Sequence, residues 1–399
     1  MRYDLFSPEF KANPFPTYAR MRQTAPVYAH QTPKGDTIWY ITRYDDVLAV
    51  LDDTDRFVKD IRRVDSSAGA ALTPNIHRSI NQNMLFSDPP DHTRLRALVN
   101  LAFTTRRVGE MAFRVQAIAE SLLDRVRAQG EMDLIEAYAL PLPVAVISEL
   151  LGIPPRDRHE IFDWSQAIIS PGRSHLNFKV RRNKVRSFVD YLRQMIVDRR
   201  HKPGNDLTTA LVQAEEAGDK LSETEVSSMI ALLLVTGHET TVNLIGNGVL
   251  ALLQHPDQMA LVRDDPEAMD TAIEELLRYD GPVETSTTRW ARVDMVLGDQ
   301  MIRRGDVVRV VLASANRDPT YFTTPERLEV ERRNNRHLAF GHGIHYCLGA
   351  PLARLEGRIA LESLFRRLPD LRLKVPVDQL EWRSGVLFRG LARLPVTWR

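Results

Sequence analysis

Apolar and polar positions along this chain repeat with two periods, and the helical period dominates. The longest helical run opens on Ser222-Glu223-Thr224-Glu225, a capping box in which Ser222 serves the third helical N–H and Glu225 reaches back. No proline follows until Pro256. The run therefore predicts one helix of roughly 30 residues and about 45 Å, long enough to cross a domain. Shorter helices are predicted from Asn13-Pro14-Phe15-Pro16 to about Thr24, over 44–51, and from Asp88-Pro89-Pro90 to about Phe103. Others are predicted over 108–128, 143–151, 156–169, 177–201, 268–279 and 350–367. Prolines stand at several of the starts, where a missing N–H costs little, and Ser170-Pro171-Gly172 punctuates the series. Alternation of period two predicts strands over 36–42 (Ile38, Tyr40 and Thr42 against Trp39 and Ile41), 283–290 and 306–313, with short strands between 371 and 398. No period is sustained from 57 to 86, and a loop of that length is functional or disordered. No internal repeat and no low-complexity segment interrupts the series.

Composition narrows the picture. The 399 residues are 43% hydrophobic and 26% charged, ordinary for a globular protein. A formal net charge of +1 gives no reason to invoke nucleic acid or an anionic membrane surface. The single cysteine cannot form an internal disulfide, which suits a reducing compartment. The N-terminus lacks the apolar stretch of a signal peptide, and the longest apolar run, 229–235, is far short of the roughly 18 residues of a membrane span. The expectation is a cytoplasmic protein with no membrane anchor.

That one cysteine sits in Phe340-Gly341-His342-Gly343-Ile344-His345-Tyr346-Cys347-Leu348-Gly349, just before the helical run 350–367. A lone cysteine is most often a buried, inert core residue. Here glycines loosen the backbone on both sides. A thiolate close to a helix N-terminus is also favoured by the helix dipole and the unpaired N–H groups there. The pattern Phe-x-x-Gly-x-x-x-Cys-x-Gly, matched at Phe340, Gly343, Cys347 and Gly349, resembles the haem-ligand loop of the cytochrome P450 family. The resemblance extends in order over essentially the whole chain and is closest to the family's bacterial members without an anchor. It implies one mainly α haem-thiolate domain with a small β-rich side (α+β) spanning 1–399, with a long central helix crossing over haem b and Cys347 as the axial thiolate.

Other segments gain a reading from this resemblance. In the long helix, Thr236-Gly237-His238-Glu239-Thr240-Thr241 contains His-Glu, but a zinc protease needs His-Glu-x-x-His and the second histidine position holds Val242. By themselves Glu239 and Thr240 read equally as a polar-face carboxylate and a back-bonded threonine. The family's oxygen-activation motif makes Thr240 a hydrogen-bonding hydroxyl and Glu239 a proton relay. Thr236 departs from the family's usual Ala or Gly. His92 and Arg96, one turn apart, read from spacing as a solvated stripe and from the family as haem propionate contacts. The resemblance adds Arg289 and His345 as propionate contacts and places Phe340 and Gly349 against the haem. Glu275 and Arg278 match its Glu-x-x-Arg pair, with Arg332 as third member of a buried ion network, although Leu328-Glu329 stands where the family more often has Phe-Asp. Thr236, Val283, Ser286, Thr287, Val386, Leu387 and Phe388 are expected to face the substrate, with the loop 60–86 over the pocket and an access lid at 170–176.

The implied function is a monooxygenase that hydroxylates or epoxidises a mainly apolar small molecule (fatty acid, terpenoid, steroid or polyketide type) with O2 and two electrons. Only 52 residues follow Cys347, too few for an electron-transfer module, so a separate ferredoxin or flavodoxin and its reductase are expected to supply the electrons. Arg94, Arg106, Arg107 and Arg354 are expected to dock it, and the enzyme to be monomeric. The alternatives are a peroxygenase driven by H2O2, whose members generally lack the acid–alcohol pair, and a haem sensor or carrier without catalysis.

Overall fold

In the computed structural model of the protein, residues 2–33, 35–66, 80–169, 178–216, 221–265 and 267–398 are described. The capping box forms in both directions: Glu225 N donates to Ser222 Oγ at 3.2 Å and Ser222 N to Glu225 Oε2 at 2.7 Å. Behind it Glu223–Gln254 runs as one α-helix of 32 residues. It is long and apolar enough to cross a membrane, yet 78% of its most apolar window is buried inside the protein. That is how a core helix of a folded domain reads.

The chain divides into two compact units. One comprises Met1–Val64, Val115–Pro141 and Thr240–Arg399, the other Asp65–Arg114 and Leu142–Glu239. Every strand among the described residues belongs to the first. These are β1 (Val27–Gln31), β2 (Thr37–Ile41), β3 (Phe57–Val58), β4 (Glu131–Asp133), β5 (Arg289–Ala291), β6 (Met295–Leu297), β7 (Gln300–Ile302), β8 (Val307–Val310), β9 (Arg372–Leu373) and β10 (Pro395–Thr397). The main sheet has the order β1-β2-β8-β5-β3. Its β2–β8 pair is parallel, Ile38 opposite Val307 and Ile41 opposite Val310, and its other pairs are antiparallel. The alternation read in 36–42 is real: Trp39 and Ile41 join one core cluster with Val308, Val310 and Phe322, while Tyr40 and Ile38 face another with Phe10 and Tyr18. The second unit holds helices, among them Asp91–Ala102, Arg158–Ile169, Phe178–His201 and Leu207–Glu216.

Three expectations change. The run 283–290 is a strand only from Arg289, because its backbone serves different neighbours in turn: Glu284 N donates to Leu387 O at 2.9 Å and Ser286 N to Val310 O at 2.8 Å. The strand expected over 306–313 ends at Val310, after which Leu312–Ala315 forms a helical turn. The helix expected over 108–128 is two, Thr105–Glu110 and Ala112–Val126, the first capped by Thr104 Oγ1 accepting from Arg107 N at 3.2 Å. Leu207–Glu216 was missed although Asp206 signals its start, Oδ1 accepting from Thr209 N at 2.8 Å. Pro256–Asp264, with proline in its first turn, was missed too. The lid expected at 170–176 and residues 67–79 of the long loop lie outside the described residues.

Candidate active site

The cysteine loop is built from backbone that bends back on itself. Gly341 N donates to Leu338 O at 2.8 Å, Tyr346 N to Gly343 O at 3.0 Å and Cys347 N to Phe340 O at 2.9 Å. Gly341 and Gly343 have φ of 73° and 67°, values that side chains other than glycine's rarely adopt. Gly343 is also crowded, since a Cβ there would lie 3.2 Å from both Asp52 Oδ1 and Leu51 O. The loop hands over at Gly349 to the helix Ala350–Arg367, whose N-terminus therefore lies beside Cys347. Cys347 is exposed at this point rather than buried as a core thiol would be. His345 stands in the 3-10 turn Gly343–His345, half-buried.

Two ion networks flank the loop, the first buried and the second partly exposed. Glu275, on the helix Ala268–Asp280, accepts from Arg278 Nε at 2.7 Å and Nη2 at 2.8 Å, and from Arg332 Nε at 3.1 Å. Glu329 N at 2.9 Å and Asn335 Nδ2 at 3.1 Å complete the set. Arg278 also donates to the carbonyls of Asn316, Pro325 and Arg327. The structure thus assembles Glu275, Arg278 and Arg332, and adds Asn335, which spacing had not suggested.

The second network was not foreseen. Arg354, in the cysteine helix, donates through Nε and Nη2 to Glu274, with His337 Nε2 at 3.2 Å from Glu274 Oε2. Arg354 also lies 4.5 Å over the Phe340 ring and reaches Tyr346 OH at 3.3 Å. Burial pushes the Glu274 carboxyl up, but the hydrogen bonds and charges of Arg354 and His337 outweigh it and hold the group at about 2.

On the long helix, Thr236 Oγ1 donates to Leu232 O at 2.7 Å, and His238 Nδ1 lies 2.7 Å from Leu234 O. Gly237 leaves room for Ile147, whose Cδ1 would be 3.1 Å from a Cβ there. Glu239 is 2% exposed and Thr240 half-buried, so Glu239 does not lie on a solvated polar face. Helical form continues through all of these residues.

His92 is buried and Arg96 half-buried one turn on, in the helix Asp91–Ala102. Burial, helped by the Arg96 charge and opposed by Asp88, lowers the His92 pKa. In the first unit, Arg289 is buried on β5. Val283 bridges Phe388, and Thr285 Oγ1 donates to Val386 O at 2.9 Å, so the structure brings Val283 and its neighbours together with Val386 and Leu387. Ser286 Oγ accepts from Val310 N at 3.2 Å. Lys59 is a buried cation beside this segment, donating to Thr287 Oγ1 and to Thr288 O at 3.0 Å, and no sequence motif had marked it. Of the four arginines expected to dock a partner, Arg94 pairs with Glu225 and Arg354 with Glu274. Arg106 is 88% exposed, 3.8 Å from Glu110.

The family model described as Cytochrome P450 matches residues 144–387. Polyketide biosynthesis cytochrome P450 PksS of Bacillus subtilis (strain 168) is 45% identical over 395 residues, covering 98% of this chain and 96% of that protein. Cytochrome P450 monooxygenase PikC of Streptomyces venezuelae is 46% identical, covering 98% of this chain and 92% of that protein. Among solved structures, myxobacterial cytochrome P450 CYP267B1, in complex with myristic acid, superposes with a TM-score of 0.93 at 41% identity, covering 99% of this chain and 98% of the other. Their agreement along the full length, on a fold whose cysteine loop and ion networks have just been described, means that this chain belongs to the cytochrome P450 family, monooxygenases whose haem is held by a cysteine thiolate.

Proposed function

We propose that the chain inserts one oxygen atom of O2 into a mainly apolar small molecule of polyketide or fatty acid type, using haem b ligated by Cys347. The observation that carries this reading is the exposed Cys347 at the end of a glycine loop and the start of a helix. Among the described residues no group of three or more His, Cys, Asp or Glu is gathered as a metal site. A single exposed sulfur fits a metal that arrives with its other ligands in a macrocycle, and the dipole of the following helix favours that sulfur as thiolate. Arg289, His345, His92 and Arg96 would hold the propionates by charge and hydrogen bonding, with Phe340 and Gly349 bordering the ring.

When bound, haem supplies the two-electron activation of O2, one oxygen going to substrate and the other to water. The chain's own residues supply position and protons. Protons pass by way of the Glu239 carboxyl to Thr240 Oγ1, the next position on the helix. Val283, Ser286, Val386 and Leu387 form a wall that holds an apolar substrate and excludes water. The substrate class is supported by the polyketide and myristic acid named for PksS and CYP267B1. In this reading the protein is cytoplasmic and monomeric, residues 1–399 act as one catalytic unit, and a separate ferredoxin or flavodoxin with its reductase docks through Arg94, Arg106, Arg107 and Arg354, of which Arg106 is the most exposed.

The test is the ferrous carbon monoxide difference spectrum, followed by titration with myristic acid and polyketide lactones. A thiolate-type Soret band that Cys347→Ser abolishes, with a spin shift on ligand addition, supports the reading. A histidine-type band in undamaged protein sinks it.

A further inference from the structure

Inside the first unit, Lys11, Tyr18 and Glu284 are 2%, 2% and 0% exposed. Lys11 Nζ donates to Glu284 Oε2, and Tyr18 OH donates to Glu284 Oε1 at 2.5 Å. Both carboxylate oxygens are thus taken by side chains from the N-terminal helices Pro8–Ala12 and Phe15–Thr24. The same elements grip the turn at 386–388. Lys11 Nζ lies 3.4 Å from Phe388 O, Arg389 Nη1 donates to Lys11 O at 2.6 Å, and Glu284 N donates to Leu387 O at 2.9 Å. Arg389 is itself fixed, paired with Asp280 and stacked 3.8 Å from the Trp382 ring centre. One buried carboxylate therefore ties Val283–Ser286 and the 386–388 turn to the start of the chain.

A fully buried ion pair is weak evidence of stabilisation, because apolar side chains of like volume often serve as well. What three directional groups add is position: a single placement of Glu284 satisfies Lys11 and Tyr18 together. We propose that Lys11, Tyr18 and Glu284 are positioning residues that set the height of the 386–388 turn and so the shape selectivity of the substrate wall at Val283, Val386 and Leu387. This rests on the proposed function, which makes those residues that wall.

The test uses the haem-loaded enzyme and three probes that ligate ferric haem without chemistry: 1-phenylimidazole, 2-phenylimidazole and 4-phenylimidazole. Their rings project in different directions, so the ratios of their dissociation constants report the shape of the wall. The triple variant Lys11→Met, Tyr18→Phe, Glu284→Leu replaces the whole network by apolar groups. It is expected to keep its Tm within a few degrees and its thiolate carbon monoxide band, while at least one affinity ratio changes about tenfold, the scale of one displaced contact. Tyr18→Phe alone, which leaves the ion pair in place, is expected to move the same ratio in the same direction by about threefold; it also decides the matter if the triple variant does not fold. Unchanged ratios in whichever variant folds, even with a lowered Tm, overturn the proposal and leave the network a matter of stability. A wild-type enzyme without the thiolate band would instead overturn the functional reading, and that outcome is visible before any imidazole is added.

Discussion

Arg354 holds Glu274 with both arms of its guanidinium, Nε to Oε1 at 2.6 Å and Nη2 to Oε2 at 2.8 Å. The contact joins the first turns of the cysteine helix to the helix Ala268–Asp280, 80 residues earlier in the chain. Because the same guanidinium covers Phe340 and touches Tyr346, the pair braces the loop on both sides of its turn.

Glu274→Gln removes the charge from that brace. The Glu274 carboxyl is held at about 2, below its ordinary 4.5, so its contribution is fully present above pH 4.5 and is lost as pH falls through about 2. With the carboxylate about a quarter exposed, that contribution is on the order of 1–3 kcal/mol. Thermal unfolding of wild type and Glu274→Gln should therefore show a Tm gap that is constant near neutrality and narrows below about pH 4.5. A gap that stays constant down to about pH 3 would show that the charge contributes nothing.

Glu275 is a hub rather than one half of a pair, since five N–H groups converge on its two oxygens. Glu275→Gln leaves Arg278 and Arg332 without their shared counter-charge and should cost roughly 3–5 kcal/mol. Arg332→Lys keeps a cation near Glu275 but loses the fork, and should cost less, about 1–2 kcal/mol. Denaturant unfolding of both variants checks the order. Equal losses would mean that the network depends on the Arg332 fork as much as on the shared Glu275 charge.

The difference between these two networks explains what could be read from the sequence. Glu275 and Arg278 lie three apart on one helix, and the capping box of Ser222 and Glu225 is equally local, so spacing predicts both. Glu274 with Arg354, or Lys11 with Glu284 across 273 residues, carries no local mark, and only the tertiary path brings such residues together. The threonine-rich run 283–290 shows the opposite failure. Its composition favours a strand, but a strand needs one continuous neighbour, and this backbone is shared between Leu387 and Val310. The cysteine loop was legible because glycine positions follow directly from backbone angles, as Gly341 and Gly343 confirm.

Those two glycines give a graded prediction. Ala at either position must adopt an unfavourable positive φ, at a cost of about 1–2 kcal/mol. At Gly341 the nearest atom to a new Cβ is 3.8 Å away, an ordinary contact, whereas at Gly343 Asp52 Oδ1 and Leu51 O stand at 3.2 Å. Gly343→Ala should therefore lower the Tm more than Gly341→Ala and lower the fraction of protein showing a thiolate-type carbon monoxide band. The reverse ranking would mean that crowding by Asp52 and Leu51 does not constrain the loop.

Thr236 stands where the family usually has a smaller residue, and its hydroxyl donates to Leu232 O within the helix. Thr236→Ala removes a back-bond and a β-branched side chain, and alanine is the better helix former by up to about 0.7 kcal/mol. The Tm should be unchanged or slightly raised. Where myristic acid gives a spin shift, its affinity should move by no more than about fourfold, the effect of a single buried methyl group. A tenfold loss of affinity would assign the hydroxyl to the ligand rather than to the helix.

Glu239 and Thr240 are adjacent on the helix but differ in setting, Glu239 being buried and Thr240 only half-buried. If Glu239 carries protons and Thr240 Oγ1 delivers them, the two substitutions fail differently. Glu239→Gln keeps size and hydrogen-bonding capacity but cannot cycle a proton, so turnover should slow by about a hundredfold with a raised solvent isotope effect, while electrons consumed still match product formed. Thr240→Ala removes the delivering hydroxyl and leaves the carboxyl, so electron consumption should continue while product falls and hydrogen peroxide rises in its place. Parallel measurement of electrons consumed, product and peroxide with a surrogate ferredoxin and reductase separates the two. If Thr240→Ala slows consumption without releasing peroxide, its hydroxyl supports the helix or the substrate rather than delivering protons. Unchanged turnover in Glu239→Gln would require a proton route that bypasses this carboxyl.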